Sequence, residues 1–205
     1  MSEATALLWT GGRRKLMKDP AFGPLVKAVG PIRYPTATDE PFYYLCRAIV
    51  YQQLAGRAAQ TIHGRFVEAL KDDVSPAKVL RVRETTLRKA GLSRAKLAAI
   101  RDLSTKVRSG DVVLDDLHEQ DDDEVIRRLV LVKGIGPWTA QMYLMFKLHR
   151  PDVWPVGDLG VRQGLARVLG MQMAPTEKEM PPLGEAYRPW RSAAAWYCWR
   201  ALETK

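Results

Sequence analysis

The stretch LVKGIGPWTA, Leu131 to Ala140, places two glycines, Gly134 and Gly136, between two apolar runs. Upstream, Val125, Ile126, Leu129 and Val130 recur at helical spacing, the pattern of a helix with one buried side. Asp121, Asp122, Asp123 and Glu124 stand before them, where carboxylates suit the positive end of a helix dipole. Downstream, Trp138 to Leu148 is strongly apolar and reads as a core helix opened by Pro137. The segment from about 121 to 148 is therefore a helix, a hairpin and a helix. Gly134 and Gly136 admit backbone angles closed to other residues and clear side chains from the turn. Amides at the start of the second helix, with Lys133 beside them, suit a phosphate held without reading sequence. The carbonyls of Val130, Val132 and Ile135 offer a position for a monovalent cation. The plainer alternative is a tight turn that packs two helices.

Outward from the hairpin the helical periodicity continues, with almost no strand signal. Glu40 and Pro41 follow Asp39, a cap candidate, and Phe42, Leu45, Ala48 and Ile49 stripe the helix they open. It runs into Tyr51, Gln52, Gln53 and Leu54. Ala59, Ile62, Phe66 and Leu70 stripe a second helix. Ser75 before Pro76, Thr85 and Ser93 are cap candidates for three more. Leu97, Ile100, Leu103 and Val107 line the helix after Ser93, and Gly110 stops it. Thr176 and Glu179 have capping-box spacing, interrupted by Pro181 and Pro182. A last helix begins near Arg188 and Pro189 and carries Trp190, Trp196, Tyr197 and Trp199. Residues 1–38, with Gly11, Gly12, Pro20, Pro24, Pro31 and Pro35, read as an irregular segment wrapped on the rest. The expectation is one all-α domain over 1–205, with about ten helices.

The 205 residues are 46% hydrophobic, enough for a sizeable core. Lysine and arginine number 32 against 23 acidic residues, a formal charge of +9, and the pI is near 9.7. Such a surface favours a polyanion, nucleic acid before an anionic membrane. Cys46 and Cys198 lie in apolar runs and read as reduced core residues. Two cysteines cannot supply an iron–sulfur cluster or a four-cysteine zinc site. His63, His118 and His149 have no ligand spacing and read as surface or satisfied histidines. No signal-peptide pattern or membrane-length apolar run is present, so a cytoplasmic protein associated with the nucleoid is expected.

The hairpin, together with the loop after its second helix, resembles the DNA glycosylases that join a helix–hairpin–helix to a Gly/Pro-rich loop and an aspartate, the HhH-GPD superfamily. The second part of that motif is Asp152-Val153-Trp154-Pro155-Val156-Gly157-Asp158-Leu159-Gly160. Three further stretches resemble the alkylation-repair branch, 3-methyladenine DNA glycosylase II: Ile49 to Leu54, Gly91 to Lys96, and Arg188 to Ser192. The likeness runs in order from about residue 40 to the end. It implies a compact member lacking the N-terminal β-rich domain of some relatives, built as two helical lobes with a DNA-binding cleft between them. It also implies that Asp158 is the catalytic carboxylate. On the residues alone, Asp158 reads as the N-cap of a helix bearing Val161, Leu165 and Val168, and one residue can serve both roles. Many relatives carry a second acidic residue where this chain has Gly157.

The resemblance puts Trp138 and Trp199 beside the base pocket, with Trp196 and Tyr197 as neighbours on the last helix and Met142 and Tyr43 as weaker candidates. It puts Gln53 or Leu54 in the gap left by an extruded base. Lys133, Gly134, Ile135, Gly136 and Thr139 are the hairpin residues facing DNA, and Arg57, Arg162 and Arg191 are further phosphate candidates. Relatives that cleave the backbone carry a lysine where Trp138 stands, and tryptophan forms no Schiff base. The expected protein is a monofunctional, monomeric glycosylase acting on duplex DNA with alkylated bases, needing no cofactor, membrane or protein partner. A non-catalytic binder of DNA structure or damage, and a glycosylase for another damaged base, are the alternatives.

Overall fold

The computed structural model describes residues 3–33, 40–54 and 56–204, with side chains from residue 10 onward. Its helices are α1 (Glu3–Lys18), α2 (Phe22–Val29), α3 (Pro41–Tyr51), α4 (Gly56–Ala69), α5 (Pro76–Arg81), α6 (Glu84–Lys89), α7 (Arg94–Ser109), α8 (Asp122–Leu129), α9 (Pro137–Phe146), α10 (Leu159–Leu169), α11 (Met180–Gly184) and α12 (Arg191–Glu203). A 3₁₀ turn, Glu185–Tyr187, joins α11 to the loop before α12. No strand occurs among the described residues, so the all-α expectation holds. None of the helices is long and apolar enough to cross a membrane, among the described residues.

The chain divides into two compact units, one from 1–36 and 144–205, the other from 37–143. In the second unit α7 is the central helix, packed against α3, α5 and α6. Leu97, Ile100 and Leu103 on α7 are buried, together with Leu45, Ile49, Phe66, Leu87, Leu129 and Val132. Local chemistry sets these helix ends. Ser75 accepts the Lys78 amide (3.3 Å), Ser93 the Lys96 amide (3.2 Å) and Asp121 the Glu124 amide (2.8 Å), each an N-cap in extended backbone. Gly110 ends α7 at φ 84°, a left-handed stop that favours glycine.

In the first unit α10 packs against α12, and α1 and α2 pack on α12 as well. Leu16, Phe22, Val26, Val161, Leu165, Ala194 and Tyr197 fill the interior. At Gly164 a Cβ would lie 1.9 Å from the Cys198 carbonyl oxygen, so only glycine lets α10 and α12 approach this closely. Cys46 and Cys198 are both buried free thiols, and burial pushes each thiol pKa up.

Several sequence expectations are corrected. Residues 1–38 are not an irregular wrap, because α1 and α2 occupy most of the described part. Gly11 and Gly12 lie inside α1, where they make room for α12 and its lead-in: their Cβ atoms would meet Trp190 at 2.5 Å and Ala193 at 2.7 Å. Thr85 is inside α6 rather than capping it, and Arg83 holds the N-cap position. Pro181 and Pro182 do not interrupt a helix; they stand in the first turn of α11, where a missing N–H costs nothing. Val130 is 37% exposed at the hairpin rather than part of the buried side of α8. The proposed cap Asp39, and Pro35, lie outside the described residues.

Candidate functional site

Asp158 sits at the end of the loop that comes after α9. The stretch Arg188 to Ser192 builds that loop from behind. Asp152 receives Arg188 Nη1 at 2.6 Å and Arg191 Nε at 2.8 Å, and Arg191 Nη2 also reaches the Asp152 carbonyl at 2.9 Å. Ser192 Oγ accepts the Val153 amide (2.9 Å) and donates to the Arg150 carbonyl (2.7 Å). Trp154 donates its indole N–H to the Met180 carbonyl at 2.8 Å. The loop is thus tied at residues 150, 152, 153 and 154 before it delivers Asp158. Arg191, a phosphate candidate from the sequence, gives its Nε and Nη2 to Asp152. Arg162 likewise turns inward, donating to the Pro175 carbonyl at 3.3 Å.

The expected cap is present. Asp158 Oδ1 accepts the Val161 amide at 2.8 Å, with the residue at φ −79°, ψ 114°, outside the helix it starts. The same oxygen accepts the Trp199 indole N–H at 3.0 Å. Two donors from different helices therefore fix one carboxylate oxygen at the positive end of α10. Asp158 as a residue is only 8% exposed. Trp199 is partly buried, and its ring stacks on Phe146 with centroids 5.9 Å apart. A Cβ at residue 160 would lie 3.0 Å from the Trp199 ring and 3.1 Å from Asp158 Oδ1, so Gly160 leaves the space in which indole and carboxylate meet. Gly157 carries no acid, but the Glu177 carboxylate lies 3.9 Å from where its Cβ would stand.

The hairpin belongs to the other unit. Gly134 has φ 82° and its Cβ would touch Ala99 of α7 at 3.0 Å, so the glycine is required both for the turn and for the close approach. Asp102 of α7 accepts the Lys133 amide at 2.7 Å and pairs with Lys106 at 2.6 Å. Burial pushes the Asp102 carboxyl up, but the hydrogen bonds from Lys106 and Lys133 and their charges outweigh it and hold it below its usual range. The Lys133 amide is therefore taken by protein, a point the sequence did not reveal. The Ile135 amide is also taken, by the Val132 carbonyl at 3.0 Å, one of the carbonyls suggested for a cation. The Gly134 and Gly136 amides have no acceptor among the described residues. Lys133, Gly134 and Gly136 are exposed, whereas Ile135 and Thr139 are buried. Thr139 Oγ1 and the Gly134 carbonyl face the Gln52 amide, at 3.2 and 3.1 Å.

Trp138 is 45% exposed on the first turn of α9, not packed away as a core residue. Met142 is partly buried on the same helix. Tyr43 meets His63 edge to face at 5.3 Å, and His63 also contacts Tyr51 and Phe66, so this histidine is buried among aromatic rings. Gln53 and Leu54 are both exposed just beyond α3, and Gln53 has φ 56°, a left-handed value unusual for its type. Arg57 is exposed. Of the alternatives to Trp199, Tyr197 is fully buried and donates to the Gly30 carbonyl at 2.8 Å, while Trp196 carries Arg200 over its ring. Gln52, Asp102 and Phe146 were not singled out from the sequence. Only the doubled glutamine after α3 hinted at the first.

A family model described as HhH-GPD superfamily base excision DNA repair protein matches residues 46–189. The chain is 33% identical over 181 residues to DNA-3-methyladenine glycosylase 1 of Schizosaccharomyces pombe, covering 86% of this chain and 79% of that protein. Among solved structures, a 3-methyladenine DNA glycosylase of the same yeast in complex with abasic DNA matches with a TM-score of 0.84 at 30% identity, over 95% of this chain and 97% of that one. A DNA-3-methyladenine glycosidase from Bacillus halodurans matches with a TM-score of 0.83 at 33% identity, over 94% of this chain and 89% of that one.

Proposed function

Because this chain belongs to the HhH-GPD superfamily of base excision DNA repair proteins, we propose that it is a DNA glycosylase that hydrolyses the N-glycosidic bond of alkylated purines in duplex DNA, 3-methyladenine and 7-methylguanine among them. The observation that carries this reading is Asp158, a carboxylate fixed by the Val161 amide and the Trp199 indole. Breaking the bond between C1′ and the base nitrogen develops positive charge on the sugar, and a fixed anion nearby stabilises it. The bonding electrons leave with the base. A water oxygen bonds to C1′, and Asp158 orients that water and takes its proton. A purine alkylated at N3 or N7 is cationic and departs neutral, so no strong general acid is needed.

The base must leave the stack to be reached, which costs a few kcal/mol. Gln53 or Leu54 fills the gap, and Lys133 with the Gly134 and Gly136 amides grips a phosphate. The exposed indole of Trp138 offers a face that attracts a cationic purine. Tryptophan also supplies no amine to attack C1′, so the product is an intact strand with an abasic site. The protein works as a monomer without a bound cofactor.

The test is chromatography of bases freed from methylated duplex DNA, with borohydride added in parallel. Free 3-methyladenine and 7-methylguanine, with no protein–DNA adduct, are expected. A trapped adduct would overturn the hydrolytic assignment. Retained DNA binding without any freed base would favour a non-catalytic damage binder.

A further inference from the structure

Gln52 lies between two features that the proposed function uses separately. It is the C-cap of α3, in extended backbone at ψ 131°, and the exposed pair Gln53 and Leu54 comes directly after it. Its side chain reaches back to the hairpin, donating Nε2 to the Gly134 carbonyl at 3.1 Å and to Thr139 Oγ1 at 3.2 Å. A carbonyl only accepts, so the amide nitrogen must face Gly134. The other attachments of this corner are also polar and specific. Lys96 Nζ caps the end of α3 by donating to the Val50 carbonyl at 2.7 Å. Asp102 holds the far side of the hairpin through the Lys133 amide at 2.7 Å. The helix end, the exposed loop and the hairpin turn thus meet at one glutamine side chain.

We propose that Gln52 is a positioning residue that locks the Gln53–Leu54 loop to the hairpin, so that a phosphate gripped by the hairpin fixes where the loop enters the duplex. Without the lock the hairpin still binds backbone phosphate, because its own glycines and Asp102 hold its shape. The loop then loses its fixed register on the DNA. Gln52 touches neither base nor sugar in this scheme; it acts through Gln53 and Leu54. The inference rests on the glycosylase reading only for its effect on base release.

Gln52→Glu is the decisive variant, since it keeps size and removes the donor facing a carbonyl. Gln52→Ala removes the side chain, and Thr139→Val removes one of the two acceptors. The probe is a duplex with a tetrahydrofuran abasic analogue flanked by 2-aminopurine, whose fluorescence reports unstacking as the loop enters. Both Gln52 variants should bind undamaged duplex within about twofold of wild type and lose about tenfold in affinity for the abasic duplex, with a reduced fluorescence rise. Single-turnover base release should slow about tenfold, and Thr139→Val should fall between. Two results would overturn the proposal: Gln52→Glu matching wild type in fluorescence and abasic affinity, or equal losses on undamaged and abasic duplex. If the wild type frees no base, the glycosylase reading fails, while the fluorescence and affinity still decide the role of Gln52.

Discussion

At the scale of single residues, Asp158 and Trp199 act as a pair. The carboxylate is placed by the Val161 amide at 2.8 Å and by the indole at 3.0 Å, and Phe146 stacks on the indole. Trp199→Phe keeps the ring and its stacking but deletes the donor. Hydrogen bonds to charged groups contribute about 1.5–3 kcal/mol, so misplacing the carboxylate should slow base release at least about tenfold. Single-turnover rates at saturating enzyme would show this, with duplex affinity unchanged. An equal fall in affinity would instead make Trp199 a wall of the base pocket, as the resemblance alone suggested. The cap role of Asp158 was legible from its position in the sequence, and the motif marked it as the carboxylate to propose for catalysis. Its indole partner was not legible as such: the two are separated by 41 residues, and no local pattern marks a hydrogen bond across that distance.

Among the elements, α10 packs tightly against α12, where Gly164 faces the Cys198 carbonyl. Gly164→Ala would place a methyl 1.9 Å from a backbone oxygen that no side-chain rotation can relieve. A loss of about 3 kcal/mol or more in unfolding free energy is expected from such overpacking, measured by urea denaturation. A variant as stable as wild type would mean that the two helices separate without cost. Because Asp158 caps α10 and α12 carries Trp199, the same substitution should also impair release in whatever fraction stays folded. Helices with their own caps were readable from the sequence: Ser75, Ser93, Asp121 and Asp158 each announced a start that the structure contains. The helix over Glu3–Lys18 was not, because Gly11 and Gly12 look like breakers until Trp190 and Ala193 are packed over them. Thr85 shows the opposite error, a good capping residue one step inside a helix. Local chemistry proposes such ends, and packing from far along the chain decides between them.

For the molecule as a whole, the formal charge of +9 makes DNA binding a salt-dependent affair. In the proposed reading the hairpin contributes one phosphate contact to it. Lys133→Ala should weaken binding on all duplex sequences alike and lower the slope of log affinity against log salt by about 0.9, the value for one phosphate on B-DNA. A slope that stays unchanged, or a loss confined to some sequences, would remove Lys133 from the phosphate site. Net charge and the hairpin motif were plain in the sequence, and with the later motifs they pointed to the family. The ties that hold these parts in place were hidden. Asp102 reaches Lys133 over 31 residues, Gln52 reaches Gly134 over 82, and Arg191 pairs with Asp152 across 39.

The central claim, hydrolysis of alkylated purines assisted by Asp158, is tested most directly by comparing base release from methylated duplex by wild type and by Asp158→Asn under single-turnover conditions. Asparagine caps a helix as well as aspartate, so the variant should fold and bind DNA within about twofold of wild type. Its release of 3-methyladenine and 7-methylguanine should be at least about a hundredfold slower. Release at the wild-type rate from a folded, DNA-binding Asp158→Asn protein would contradict the account.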